Sequence, residues 1–481
     1  MRNPLPILVL PLLALPLGCR RGIQVPDFGG LYSRAAEFEG PTRNPVVVIP
    51  GILGSTLRQH GTERVVWGTF SGSYANPSHS DGAQLVAHPM RVGAPLHELV
   101  DDVYASGALD RVRLSIFGLP IEAAAYAQIL GTLGVGGFRD EGLSDAGAVD
   151  YGDEHFTCFQ FPYDWRRDLS ETSADLDAFL REKAAYVREQ YRKRYGIDRK
   201  EIRFDVVAHS MGGLLLRYYL RFGAEALPAD GSIPSVTWAG TDLVDKAVLV
   251  GTPSAGSVFV ARELVHGKGI TWLQPRYPAA MLGTMPALYQ LLPRPRHGAY
   301  VRAQDPEARV ESIMDPAVWE ELEWGLADPD QDRVLARMLP DAASPEERRA
   351  IALDHLSKSL ARASQFHAAM DQPAPPRPRG GLYLVAGDSI PTPSKVSIDF
   401  EKRRLELVED QPGDGTVLRT STVLDERVGG DWEPQLRTPI DWDRVLYLFD
   451  DHLGLTRNPA FVDNVLYWLL EEPRLAQRSV Q

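Results

Sequence analysis

The sequence predicts an α/β fold with a mainly parallel central sheet. Three observations carry that prediction. Short apolar, β-branched runs recur at Asn44–Gly51, Phe156–Phe161, Ile202–Ala208, Lys246–Pro253 and Leu382–Asp388. Several are continuous rather than alternating, as expected of strands covered on both faces. Helical stretches fall between them, and strands alternating with helices build parallel sheets.

The N-terminus is read separately. "MRNPLPILVLPLLALPLGCRRG" has an Arg, an apolar run, Gly18-Cys19 and two further Arg. The run is too short to span a membrane and is broken by prolines. Residues 1–19 therefore read as a signal peptide, and the protein is expected to be exported, either secreted or held in the cell envelope. A small residue before Cys resembles the end of a bacterial lipoprotein signal. That signal prefers Leu three residues before the Cys, where Pro16 stands here. Cys19 is thus either a lipidation site or part of a plainly cleaved signal. Cys158 is the only other cysteine. The mature chain then has no disulfide and must be held by its core. Cys158 itself reads as a small buried apolar residue.

The first part of the core is placed at residues 40–253. Between its second and third strands lies an amphipathic helix, with Leu176, Phe179, Leu180, Val187 and Tyr191 on its apolar face. The charged face opposite reads as solvated. Residues 254–380 break the rhythm with long helical patterns and end in the Pro-rich "DQPAPPRPRGG". They are expected to form a helical cap. Residues 381–470 complete the core, with a β-hairpin at "VSIDFEKRRLELVED". The net charge is −13 and no basic face stands out, which excludes a nucleic-acid partner. There is no H-E-x-x-H and no Cys-His cluster, so neither a metal nor another cofactor is implied.

The chemistry centres on "FDVVAHSMGGLLLRYYL", Phe204–Leu220. A strand ending in x-H-S-x-G and turning at once into a helix forms a nucleophile elbow, which forces the serine out of the sheet. Ser210 is the nucleophile. Ala208 takes the place of the usual first Gly and is still small. The Met211 N–H, at the helix start, can donate to a developing oxyanion. A serine needs a base and an orienting acid, in the chain order Ser, acid, His. Of the histidines beyond Ser210, the first four lie in the expected cap on sequences that read as solvated. His452 follows an apolar run and is chosen as the base. Asp388, Asp410, Asp414, Asp450 and Asp451 compete as the acid. Asp414 is chosen because "PGDGTV" aims a carboxylate from a tight turn. The second oxyanion donor is sought in "VVVIPGILGSTL", where Ile52 or Leu53 follows a strand and a turn.

These pieces together resemble the lecithin:cholesterol acyltransferases, with lysosomal phospholipase and bacterial relatives. The motifs are "VVVIPGILGSTL", "FPYDWRRDL", "AHSMGG", "GTPSAGS", "MPALYQLLP", "GDGTV" and "HLGLTRNP", spread from Val46 to Pro459. The resemblance implies an α/β-hydrolase fold, a Ser210–Asp414–His452 triad, and Ile52 with Met211 as the oxyanion donors. It implies a lid over the acyl pocket, about residues 55–81. No Cys closes that loop, but Trp67, Phe70 and Tyr74 lie in it, so a mobile, apolar-tipped loop touching lipid is expected. Asp164, Trp165 and Arg166 either touch substrate or buttress the core. The implied activity is lipid acyl ester hydrolysis, or transfer of the acyl group to an alcohol. The donor is a lipid ester, in the first place a phospholipid; the acceptor is water or an alcohol, with peripheral membrane contact. The alternatives are a general carboxylesterase or triacylglycerol lipase, or a non-catalytic lipid-binding protein of the same fold.

Overall fold

The structure is a computed structural model that describes residues 33–472, apart from 69–73, 109–112, 117–118, 123, 153–154, 200 and 270–275. The signal segment and Cys19 lie outside the described residues, as does Phe70.

Six strands form the central sheet: β1 (Val46–Ile49), β2 (Cys158–Gln160), β3 (Phe204–His209), β4 (Val244–Val250), β5 (Gly381–Gly387) and β6 (Arg444–Leu448). Their order is β6-β5-β4-β3-β1-β2, and every neighbouring pair is parallel. Five correspond to the apolar runs of the sequence. The sixth is the run just before His452.

Successive strand residues point to opposite faces. Val47, Ile49, Val206, Ala208, Ala247 and Leu249 enter one apolar cluster. Val46, Val48, Val207, Val248 and Val250 enter the other. This explains the continuous apolar runs, because both faces are covered by helices. Helix α1 (Ala124–Val135) covers the second face through Ile129, Leu130 and Leu133. Helices α2 (Leu169–Tyr195) and α3 (Met211–Phe222) cover the first. The α2 helix starts where the Asp168 carboxylate accepts from the Ser170 N–H and stops at Gly196, in the left-handed conformation (φ 64°) that glycine adopts at least cost. Its Leu176, Leu180, Val187 and Tyr191 are buried, while Phe179 is half-buried. Cys158 is buried, and burial, then nearby Asp140, pushes its thiol well above the ordinary range.

Between β4 and β5 the chain is mostly helical. Its longest element, α4 (Pro345–Asp371), begins at a Ser344 cap with Pro345 in the first turn and buries Leu356, Leu360, Phe366 and Met370. After β5 comes an antiparallel hairpin, Ile390–Asp399 with Arg404–Gly413. Its first strand also pairs in parallel with Tyr300–Arg302 of the helical segment.

Two expectations change here. Trp67 is not at the tip of an apolar loop. Ser55–Gln59 and Val65–Trp67 are strands that form a three-stranded antiparallel sheet with Val103–Ala108. Trp67 is buried, its indole N–H donates to the Leu53 carbonyl, and its ring packs edge-on against Trp165 and Tyr277. Apolar contact is worth more to an indole than exposure, provided its N–H finds an acceptor. Second, the histidines between β4 and β5 are not uniformly solvated. His355 and His367 are buried and bond the carbonyls of Thr284 and Gln290, because the apolar stripe of α4 includes them.

Candidate active site

Ser210 sits at the C-terminal end of β3, immediately before α3, with φ 53° and ψ −126°. Such a backbone is strained for any residue with a Cβ, and surrounding bonds must hold it. The Ser210 N–H donates to the Val250 carbonyl (2.8 Å), and the Gly213 N–H donates to the Ser210 carbonyl (2.9 Å). Ser210 stands at the cap position of α3, yet its side chain makes no capping bond. The hydroxyl is thereby left for another partner.

The small residues around it answer to close approach. A Cβ on Gly212 would lie 2.3 Å from the Pro50 carbonyl oxygen. A Cβ on Gly51 would lie 2.8 Å from Ser210 Cβ. The loop after β1 and the start of α3 can meet only without those side chains.

His452 and Asp414 arrive from loops beyond β6 and β5. His452 Nε2 is 3.0 Å from Ser210 Oγ, and Nδ1 is 2.7 Å from Asp414 Oδ2. Asp414 is fully buried. Its Oδ1 accepts from the N–H groups of Thr416 (2.9 Å) and Val417 (2.7 Å), leaving Oδ2 for the imidazole. The His452 N–H also donates to the Asp414 carbonyl (2.9 Å). The rival carboxylates are engaged elsewhere or exposed. Asp388 pairs with Arg419 (2.9 Å), Asp410 is exposed, and Asp450 and Asp451 accept bonds within the loop that carries His452.

Met211 follows Ser210 in the first turn of α3, and Ile52 follows Gly51, which approaches Ser210 closely, on the loop after β1. The Met211 N–H has no intrahelical acceptor, as for any first-turn residue. Among the described residues, neither its N–H nor that of Ile52 has a hydrogen-bond partner. Leu53, the other candidate donor, has φ 61°.

A second network was not legible in the sequence. The Gly51 N–H donates to Tyr126 Oη (2.8 Å). Tyr126 Oη lies 3.4 Å from His209 Nδ1, and His209 Nε2 lies 3.0 Å from the His452 carbonyl oxygen. Burial, and then the neighbouring His452, pulls the His209 pKa down to about 3. It is therefore neutral near pH 7, with one ring nitrogen donating and one accepting. Donation from Nε2–H to the carbonyl leaves Nδ1 to accept from Tyr126. The loop after β1 is thus tied to the backbone of His452. His209 stands beside Ser210 in the sequence, but no local signal gives it a role, and nothing in the sequence marks Tyr126.

Asp164, Trp165 and Arg166 are arranged as a brace. Arg166 is fully buried; its Nη2 pairs with Asp164 (2.7 Å) and Asp101 (2.9 Å), and its Nη1 donates to the carbonyls of Leu85, Val86 and Ala87. Losing one partner of such a buried set leaves an uncompensated charge. Trp165 packs against Trp67 with ring centroids 5.3 Å apart.

Comparison with known proteins bears on this arrangement. Residues 148–344 match the sequence profile of the family described as Lecithin:cholesterol acyltransferase. Within that stretch the likeness read from the motifs holds. The matched stretch includes Ser210, whereas Asp414 and His452 lie beyond it. Among solved structures, the Tle4–Tli4 complex aligns over 89% of this chain and 98% of its own, at 15% identity and a TM-score of 0.55. At that identity the likeness is one of fold, and the fold is that of the α/β hydrolases. The mature lipase BlEst2 of Bacillus licheniformis aligns over 90% of this chain and 94% of its own, at 12% identity and a TM-score of 0.31. EstA from Clostridium botulinum aligns over 90% and 88%, at 10% identity and a TM-score of 0.32. No curated protein sequence matches this chain.

Proposed function

We propose that this protein is a serine-dependent lipid ester hydrolase that works through an acyl-enzyme on Ser210. The observation that supports it most is the continuous hydrogen-bonded chain from Ser210 Oγ through His452 to buried Asp414. In this reading the Ser210 hydroxyl gives its proton to His452 Nε2 as Oγ attacks the ester carbonyl. Asp414 holds the Nδ1–H and stabilises the imidazolium that forms. The Ile52 and Met211 N–H groups hold the oxyanion, each worth on the order of 3 kcal/mol in the transition state. The alcohol leaves with the proton from His452. Water or a second alcohol, deprotonated by the same imidazole, then takes the acyl group.

The donor is a lipid ester, in the first place a phospholipid, and acyl transfer competes with hydrolysis to the extent that the pocket excludes water. Peripheral membrane contact belongs to the same proposal. It is supported by Phe449, three residues before His452 and 78% exposed. Export, with or without a lipid on Cys19, is proposed from the sequence alone.

The test uses purified protein with vesicles of acyl-labelled phospholipid containing a long-chain alcohol, with Ser210→Ala and Phe449→Asp in parallel. Label in a new ester means an acyltransferase. Label in free fatty acid means a phospholipase. Phe449→Asp is expected to lower turnover on vesicles while sparing a short soluble ester. Absence of any Ser210-dependent product removes phospholipid as the donor. Simple esters would then separate a general carboxylesterase from a non-catalytic lipid-binding protein.

A further inference from the structure

The second half of α3 presents an electrostatic problem. Arg217 and Arg221, one turn apart on the same side of the helix, are both buried, with 4% and 5% of their surface exposed. Arg217 Nη1 and Arg221 Nε have no hydrogen-bond partner. Arg221 does donate through Nη2 to the carbonyls of Gln372 (2.6 Å) and Ala369 (3.4 Å). Among the described residues no carboxylate forms an ion pair with either guanidinium. The nearby Asp371 pairs with Arg294 (2.8 Å) and Arg296 (2.7 Å); its charge also favours both guanidiniums, but from outside ion-pair contact. Burial, and for Arg217 next the charge of Arg221, pulls the two guanidiniums down to about 9 and about 10. Both remain cationic near neutral pH. Burying an unpaired charge is strongly unfavourable, so such a pair is usually compensated by an anion.

The two arginines line a cavity of about 280 Å³. It lies where α3, the Pro-rich linker after α4 and the loop before β6 come together. Its other walls are mainly apolar, from Leu220, Trp238, Pro375, Pro376, Leu382 and Ile440. Two more charged residues line it. Arg377 is paired with Asp443, and Asp441 is exposed to solvent. A small cavity with apolar walls and a few convergent polar groups is the usual form of a small-molecule site. A guanidinium fork matches the two oxygens of a carboxylate or phosphate.

We propose that this cavity binds a small organic anion, with a carboxylate or phosphate head on Arg217 and Arg221 and a short apolar body against the prolines, Leu220 and Trp238. The site is separate from Ser210 and does not depend on the reading of Ser210 as a nucleophile.

The test is calorimetric titration of the full-length protein with octanoate, octyl phosphate, octanol and inorganic phosphate. It is run on the wild type, Ser210→Ala and Arg217→Met, with tryptophan fluorescence compared between the wild type and Trp238→Phe to isolate the Trp238 signal from the other eight tryptophans. Octanoate or octyl phosphate is expected to bind one per chain, at least 10-fold tighter than octanol or inorganic phosphate, and to change the Trp238 signal. Whichever of the two binds tighter identifies the head group. Ser210→Ala should bind equally well, and Arg217→Met at least 10-fold more weakly. Without ligand, Arg217→Met should match or exceed the wild type in Tm, because it removes a buried unpaired charge. Equal binding of octanol would overturn the proposal, since the head would then not be read. Equal binding of inorganic phosphate would overturn the apolar body. Unchanged binding by Arg217→Met, no binding of any probe, or a Tm several degrees lower for Arg217→Met without ligand would each overturn the site.

Discussion

At the scale of single residues, the site is fixed by what each polar atom is denied as much as by what it bonds. Ser210 stands at a helix cap yet does not cap, so its hydroxyl faces His452. Asp414 spends one oxygen on two backbone N–H groups, which orients the other toward the imidazole. Tyr126 acts at one remove. Its hydroxyl accepts from Gly51, next to the proposed oxyanion donor Ile52, and reaches His209. Tyr126→Phe leaves the buried Gly51 N–H unpaired, at a cost of about 1–3 kcal/mol. The expected result is a fall of about tenfold in kcat on a soluble ester with KM within twofold. A kcat equal to wild type would show that the tyrosine holds nothing the reaction needs.

At the scale of elements, the approach of β1 to α3 is the demanding feature. The turn after β1 must lie against the first turn of the helix, and the Pro50 carbonyl occupies the place of a side chain at Gly212. Gly212→Ala puts a methyl group against backbone, which cannot rotate away. Overpacking of this kind costs about 1–3 kcal/mol. The prediction is a lower denaturant midpoint together with a loss of activity larger than the unfolded fraction explains, since the loop bearing Ile52 must move. Stability and kcat measured on one preparation check it. A variant with normal activity and normal stability would mean that the loop yields without consequence. The brace of Arg166, Asp164 and Asp101 works at this scale too, tying the turn before α2 to the segment at Leu85–Ala87.

At the scale of the whole molecule, buried histidines set the response to acid. Burial is the leading cause that pulls His209 to about 3, His355 to about 4 and His367 to about 3, and it holds His88 well below its ordinary value. Unfolded, each titrates near 6.5. Between that value and the folded one, the unfolded chain binds more protons, so stability rises with pH. The contribution is complete above about pH 6.5 and is lost as pH falls, at roughly 1 kcal/mol per histidine per pH unit. Against the opposing effect of burial, Asp371 is held low by Arg294 and Arg296, and Glu426 by His297 and then Arg296; both add a further loss below the ordinary carboxylate range. The urea midpoint should therefore drop between pH 7 and pH 5, by less than the histidines alone would give, because burial raises the carboxyls of Asp101, Asp140, Asp175 and Glu171, whose protonation favours the folded state. His355→Gln, which can keep a donor for the Thr284 carbonyl, should make that drop shallower. A midpoint flat from pH 7 to pH 5 would contradict the account.

The sequence by itself determined the strand runs and the elbow at Ser210, and it pointed to Asp414 and His452 as the residues that meet it. These are local: continuous β-branched runs, a strand-to-helix turn built from small residues, a glycine-flanked aspartate. Only the tertiary structure decided what depends on distant partners. Asp388 and Asp414 look alike in sequence, but Arg419 occupies one and His452 meets the other. Trp67 looked like the tip of a loop until Leu53, Trp165 and Tyr277 gave it a buried place. Arg217 and Arg221 sit in an ordinary amphipathic pattern, and only the linker and loop folded over them make them buried and unpaired. Periodicity reports which face of an element is covered, whereas the identity of the group that covers it is set by chain segments far away in sequence.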